Sequence, residues 1–365
     1  MAVPFSSLEP AAVRSWVAEH GLPSYRAAQL LRWFYRSAAP AFAAMTTLPP
    51  ALRTELATDF GFSTMEPLRV LPADGGETQK YLFRLKGGAL LESVCMHYRR
   101  TPRSAERTTV CLSSQVGCAV GCPFCATGLG GLERNMTSAE IVDQVLAVQR
   151  DQSGRGRRVS HVVFMGMGEP LNNLDATMAA VRRLTDPEAI GLGVRRVTVS
   201  TSGVVPGIEA LAGSGLGVNL AVSLHAPRDD LRDRLVPLNR KWPVAAVLAA
   251  ADGYAARSGR RVSYEYVMLD GVNDDLELAD ELGAMLARRL AHVNLIAYNA
   301  IPGDPYRSSP AARIEAFRLR IRTHRVECTV RDTRGRDIDA ACGQLRATEL
   351  AAHPGPSHAA PAAVP

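Results

Sequence analysis

What this chain lacks narrows its class before any motif is read. No stretch of its 365 residues is apolar for long enough to cross a membrane as a helix. The opening decapeptide, MAVPFSSLEP, lacks the basic-then-apolar order of a secretory leader. Its seven cysteines are odd in number and gathered by motif, which does not suit a secreted disulfide framework. A cytosolic protein without membrane association is expected. Lysine is scarce, and arginine carries nearly all of the positive charge. The net charge of +6 and an isoelectric point near 9.1 favour a polyanionic partner. The planar guanidinium can also stack on bases, as an ammonium cannot. Apolar residues are not short: at 47% they can build one large domain or two to three smaller ones.

The most informative stretch is Cys118-Ala-Val-Gly-Cys122-Pro-Phe-Cys125, spaced C-x3-C-x2-C and bent by Gly121 and Pro123. Three soft thiolates turned onto one centre select iron–sulfur or zinc. A four-iron cube usually takes four cysteines, so three leave one iron open to a substrate or cofactor. The paired knuckles or histidine pair of a zinc site are missing here. An open-cornered cluster fits best; zinc, or three unrelated thiols, remain alternatives at this point.

Taken in order, residues 1–62 read as a small helical unit, with helix signals at Pro10, at Pro23–Ser24 and at Pro49–Pro50. Trp33, Phe34 and Tyr35 sit among Arg26, Arg32 and Arg36, either as core aromatics beside a solvated basic face or as an RNA grip. Residues 63–110 alternate in short runs parted by Gly75–Gly76, Gly87–Gly88 and Pro102, which predicts β-hairpins. After the cysteine loop, Thr137-Ser138-Ala-Glu140 has the spacing of a capped helix start. From His161 onward six strand-like runs recur, HVVFM, RVTVST, VNLAVSL, SYEYVML, HVNLIAYN and RVECTV, most of them separated by helical runs. Runs read as apolar on both faces predict a parallel sheet covered on both sides, in an α/β partial or full barrel. The cysteines, Gly166–Glu169, Ser200–Gly203, Ser223–His225 and Asn299 all fall at strand ends, where barrels carry their chemistry. The catalytic barrel would span 111–346, and the Pro/Ala-rich 347–365 reads as a disordered tail.

The three cysteines and the strand-end set resemble the radical S-adenosylmethionine (SAM) superfamily. Cys111-Leu-Ser-Ser-Gln-Val-Gly-Cys118, Asn135-Met-Thr, Met165-Gly-Met-Gly-Glu-Pro170, Ser200-Thr-Ser-Gly-Val-Val-Pro206, Ser223-Leu-His-Ala-Pro227, Tyr266-Val-Met-Leu-Asp270 and Asp337-Ile-Asp-Ala-Ala-Cys-Gly-Gln344 narrow the likeness to the RlmN branch of the RlmN/Cfr family. The likeness spans roughly residues 90–345, with one departure: Ala297 and Ala300 stand beside Tyr298-Asn299 where relatives often carry prolines. It implies a radical SAM partial (βα)6-type barrel with a helical accessory domain and a β-hairpin extension. It further implies methylation of adenine carbon 2 in large-subunit rRNA and in tRNA, with a [4Fe-4S] cluster and two SAM molecules. An external electron donor such as flavodoxin or ferredoxin and a monomeric state complete the expectation.

Carried over residue by residue, Cys118, Cys122 and Cys125 would ligate the cluster. Gly168, Glu169, Ser200, Ser223, Leu224, His225 and Asn299 would contact SAM. Cys342 would carry the methyl group, Cys111 would resolve the enzyme–RNA adduct through a transient disulfide with Cys342, and Glu92 would accept the ring proton. Phe124 would shield cluster or adenine, or simply pack. Cys95 and Cys328, on strand-like runs, read as buried structural thiols. Arg99, Arg100, Arg103, Arg155, Arg157, Arg158, Arg240, Lys241 and Arg334 are candidates for phosphate contact, with salt-weakened RNA binding as the consequence. Two rivals stand beside this reading: a Cfr-like methylation of adenine carbon 8, and a zinc-stabilised RNA-binding module without catalysis.

Overall fold

The computed structural model describes residues 2–37, 39–102, 104–301 and 303–331. Cys342, Arg334, Arg103 and the tail segment lie outside the described residues.

Ten strands form one sheet: β1 (Met65–Ala73), β2 (Thr78–Leu85), β3 (Leu90–Tyr98), β4 (Arg107–Cys111), β5 (His161–Phe164), β6 (Val197–Thr201), β7 (Asn219–Ser223), β8 (Val262–Met268), β9 (Ala291–Ala297) and β10 (Glu327–Val330). Each lies beside its predecessor in sequence. The first four are antiparallel neighbours, and β4 to β10 run parallel. Residues 63–110 therefore extend the main sheet instead of standing apart from it.

Helices α4 (Ser138–Ser153), α5 (Leu174–Thr185), α6 (Val205–Gly213), α7 (Asp229–Leu235), α8 (Val244–Ser258), α9 (Leu276–Leu286) and α10 (Ala311–Thr323) link the parallel strands. When every right-handed crossover steps in the same direction, all helices fall on one side of the sheet. That geometry overturns the expectation of cover on both faces. Val162, Phe164, Val197, Val199, Leu220, Val222, Tyr264, Tyr266, Val293 and Leu295 are buried in the hydrophobic core. The alternate residues, among them Thr109, His161, Thr198, Asn219, Ser263, Asn294 and Thr329, line a cavity of about 540 Å³. Strand period two thus separates a greasy face for the helices from a polar face for the site. A cavity reached from β3 at one end and β10 at the other requires the open sheet to curl around it.

Local signals explain the elements. At the start of α4, Thr137 Oγ1 accepts from the Glu140 N–H, and the Glu140 carboxylate accepts from the Thr137 N–H at 2.8 Å. This is the capping box read from the sequence. Helix α8 ends at Gly259 with φ +65°, a left-handed cap that glycine adopts without strain.

The helical unit comprises α1 (Pro10–Glu19), α2 (Tyr25–Tyr35) and α3 (Pro50–Asp59). Phe5, Phe34, Phe42, Phe60 and Phe62 interlock, mostly edge to face. Phe34 and Tyr35 are buried in this core, and the Trp33 indole donates to Thr47 Oγ1. The unit docks on α4 and α5 through polar contacts. Asp143 of α4 accepts from the Thr64 N–H and hydroxyl, Arg150 donates to the Ala39 carbonyl, and Arg36 donates to the carbonyls of Pro187 and Ala189.

Candidate active site

After β4 the chain forms a short strand, Gln115–Gly117, that pairs with Leu132–Asn135 and clasps the cysteine loop at its base. Gly117 has φ +80°, and a Cβ there would lie 2.0 Å from the Gly131 carbonyl oxygen, so no other residue fits. The Cys118 N–H donates to that same carbonyl, and the Cys125 N–H donates to the Cys122 carbonyl. Cys118, Cys122, Phe124 and Cys125 then form one wall of a cavity of about 240 Å³ at the carboxyl ends of the parallel strands. Gly168, Glu169, Ser200, Ser223 and His225 line the same cavity.

Each of these strand-end groups is held in place. Glu169 is buried; its carboxylate accepts from the Leu171 N–H at 3.0 Å and from the N–H and hydroxyl of Ser202 at 2.6 Å. Burial pushes its carboxyl up, and the Ser202 and Leu171 donors oppose that rise. Gly168, at φ +96°, brings the backbone against Gln115, whose side chain a Cβ would meet at 2.5 Å. Gln115 in turn accepts from the Glu169 N–H. His225 Nδ1 accepts from the Val267 N–H, which leaves Nε2 as the ring's donor. Burial and the nearby Arg232 cation lower its pKa to about 3, so the imidazole is neutral. Its ring stands edge-on to Phe124, with centroids 5.1 Å apart. Leu224 is buried and is not among the residues lining this cavity; its N–H donates to the Glu265 carbonyl. Asn299 follows β9 and is half-buried; it is not among the residues lining this cavity.

The cation that ties the site together escaped sequence reasoning. Arg232 is fully buried and donates to the carbonyls of Ser202, Ser223 and Leu224 and to Asn239 Oδ1. It thereby joins the ends of β6 and β7. Read locally, Leu-Arg-Asp-Arg-Leu is a charged helix on the surface, and nothing in it signals burial. Ser202, Gln115 and Glu265 were also missed as site residues. Glu265 lines both cavities; one oxygen accepts from Asn294 and the other, buried, has no partner among the described residues.

Cys111 and Glu92 lie on the same concave face, toward its antiparallel side. Across β3 and β4, Val94 pairs with Cys111, and Cys111 pairs with Val163 of β5. Glu92 lies two residues from Val94 and so shares its side of the sheet. Glu92 is buried, with Lys80 Nζ 3.1 Å from its Oε2. Cys95 and Cys328 are buried free thiols, each pushed up to about 12 by burial. At least three of the arginines considered for RNA have protein partners: Arg99 and Arg157 both pair with Glu77, and Arg155 pairs with Asp151.

A family profile described as the radical SAM superfamily matches residues 112–282. A second, described as the ribosomal RNA large subunit methyltransferase N-terminal domain, matches residues 5–60. A curated protein of Frankia alni, named a probable dual-specificity RNA methyltransferase RlmN, is 52% identical over 336 residues, covering 90% of this chain and 79% of its own length. The chain belongs to the RlmN family. The RlmN protein of Thermobifida fusca is 48% identical, with 94% of each chain covered. The crystal structure of a radical SAM methyltransferase from Sphaerobacter thermophilus superposes with a TM-score of 0.89 at 48% identity, covering 94% of this chain and 98% of the other. The α/β sheet described above is accordingly the radical SAM fold, preceded by an RlmN N-terminal domain.

RlmN family membership implies a [4Fe-4S] cluster and SAM, and the donor set fits them. Burial raises the Cys118 thiol to about 12 and Cys122 well above its ordinary value, with neighbouring thiolates adding to the rise. Cys118 and Cys122 stay protonated until a soft cation joins them. Among the described residues no three His, Cys, Asp or Glu side chains converge as a single-ion site. Three thiols side by side on one wall of the cavity are the soft donors that would hold such a cluster. No helix among the described residues is long and apolar enough to cross a membrane.

Proposed function

We propose that this chain is a radical SAM RNA methyltransferase that builds 2-methyladenosine in large-subunit (23S) rRNA and in tRNA. The observation that carries the reading is the company of the cysteine cavity: Cys111 and Glu92 share its concave face, in a chain about half identical to proteins named dual-specificity RNA methyltransferases. Carbon 2 of adenine lies between two ring nitrogens and is too electron-poor to attack a methyl cation donor. When bound, the cluster and SAM supply a carbon radical, which does not need a nucleophilic carbon.

The chain's own residues do the rest. Cys118, Cys122 and Cys125 hold the cluster. Glu169, with every donor around it fixed, turns a rigid carboxylate wall toward the ammonium of SAM. Ser200, Ser223 and Asn299 serve as hydroxyl and amide partners, and the neutral His225 offers its Nε2–H. Cys342 accepts a methyl group on its thiolate and becomes linked through it to the base. Glu92 takes the hydrogen of carbon 2 as a proton. Cys111 then attacks the sulfur of Cys342: an S–S bond forms, the S–CH2 bond breaks, and its electron pair leaves with the carbon, which gains a proton to become methyl. An external flavodoxin or ferredoxin provides electrons, in the cytoplasm where these RNAs are found. The target adenine is presented unpaired or everted, since its edge is inaccessible inside a helix.

Nucleoside mass spectrometry of rRNA and tRNA from a deletion strain tests this. The expected result is loss of 2-methyladenosine. Its persistence, or loss of 8-methyladenosine instead, would sink the carbon-2 reading.

A further inference from the structure

Lysine occurs three times in this chain, at positions 80, 86 and 241, and one of the three is buried completely. Lys80 is 0% exposed and its Nζ lies 3.1 Å from Oε2 of Glu92, itself 2% exposed. The register explains the meeting. Lys80 of β2 lies opposite Val94 of β3, and Leu82 opposite Glu92, so Lys80 and Glu92 are diagonal neighbours on the concave face. Their flanking residues turn the other way: Tyr81 donates to Asp151 of α4, and Ser93 donates to Gln144 of the same helix. The other titratable groups this register brings to that side of Glu92 are Cys111 on β4 and, beyond Leu82, Arg69 on β1. Tyr98, Arg107 and His161 lie farther along the same face.

We propose that Lys80 is a positioning residue for the proton transfer, its ammonium holding Glu92 as a carboxylate before RNA arrives. The inference rests on the assignment of Glu92 as proton acceptor made above. A carboxyl buried without a cation keeps its proton and cannot accept another. A compact ammonium at hydrogen-bond distance reverses this, and it does so as a point charge instead of clamping both oxygens as a guanidinium fork would. In the step itself, the carbon-2 to hydrogen bond of the adduct breaks and its electron pair stays in the ring as aromaticity returns. The proton forms an O–H bond on Glu92, and the single electron left over from radical addition would be taken up by the one-electron chemistry that the cluster supplies when bound. The transfer leaves the buried Lys80 ammonium beside a neutral acid, which favours onward release of the proton.

The test uses full-length enzyme with its cluster, SAM, a reductant and substrate RNA, following the covalent enzyme–RNA adduct and 2-methyladenosine from pH 6 to 9. Lys80→Met should accumulate adduct at pH 7, with release slowed by about tenfold or more, and should recover as pH rises. Glu92→Gln should stall at every pH. Lys80→Arg, which keeps the cation, should retain the wild-type pH profile. In the wild type, the infrared difference against Glu92→Gln at pH 7 should show carboxylate bands. Release by Lys80→Met at the wild-type rate and pH profile, while Glu92→Gln stalls, overturns the inference and leaves the role of Glu92 standing. So does a pH shift in Lys80→Arg equal to that of Lys80→Met, or a carboxylic-acid band from wild-type Glu92. Wild-type release by Glu92→Gln overturns the underlying reading instead. Should Lys80→Met fail to fold, the infrared spectrum and the Lys80→Arg profile decide between these outcomes.

Discussion

The parallel and antiparallel ends of the one sheet hold their buried carboxylates by different means. Glu169, at the parallel end, is surrounded by neutral donors, the Leu171 N–H and the N–H and hydroxyl of Ser202. Glu92, at the antiparallel end, faces the ammonium of Lys80. The buried cation of the parallel end follows the same division: Arg232 donates to three backbone carbonyls and an amide oxygen, with no carboxylate among these partners. Neutral backbone partners fix direction without cancelling charge, which suits a wall that must meet a charged ligand. An ion pair fixes protonation state, which suits a group that exchanges a proton. On the proposed function, one curled sheet would keep a ligand-holding end and a proton-handling end apart.

Substitutions can break or sharpen that contrast. The largest effect is expected from Cys118→Ala, which should reduce bound iron from about four per chain to near zero and abolish product formation. Its circular dichroism should stay unchanged, because the Lys80–Glu92 end does not depend on the cluster; full iron content in this variant would show the cavity is not the cluster site. Arg232→Met should cost about 3 kcal/mol of stability in urea unfolding, since buried carbonyls lose their donor. A loss below about 0.5 kcal/mol would mean the strand ends of β6 and β7 are joined by something else. Gly168→Ala combines a strained φ with a 2.5 Å approach to Gln115 and should cost about 2 kcal/mol. It should weaken SAM binding in calorimetry while iron is retained. Thr137→Ala removes the cap of α4 and should cost about 1 kcal/mol, with methylation kinetics unchanged, since that helix end lies outside both charged regions.

Much of this was legible along the chain. Apolar, β-rich runs marked β5 to β10, 3.6-residue periodicity marked the long helices between them, and Thr137 with Glu140 marked the start of α4. Short helices such as α6 and α7 went unread because seven to nine residues give too few turns for a period to emerge. The cysteine spacing carried the metal chemistry because loop geometry within eight residues is a local property.

What the sequence by itself determined is therefore the set of elements, the cysteine loop and the family wording of the strand ends. Only the tertiary structure decided that the sheet is covered by helices on one face and left polar on the other. It alone decided that Arg232 is interior, and that Lys80 of one strand meets Glu92 of the next. The physical reason is that burial and ion pairing depend on register between strands far apart in sequence. A lone lysine reads the same whether water or a carboxylate waits opposite.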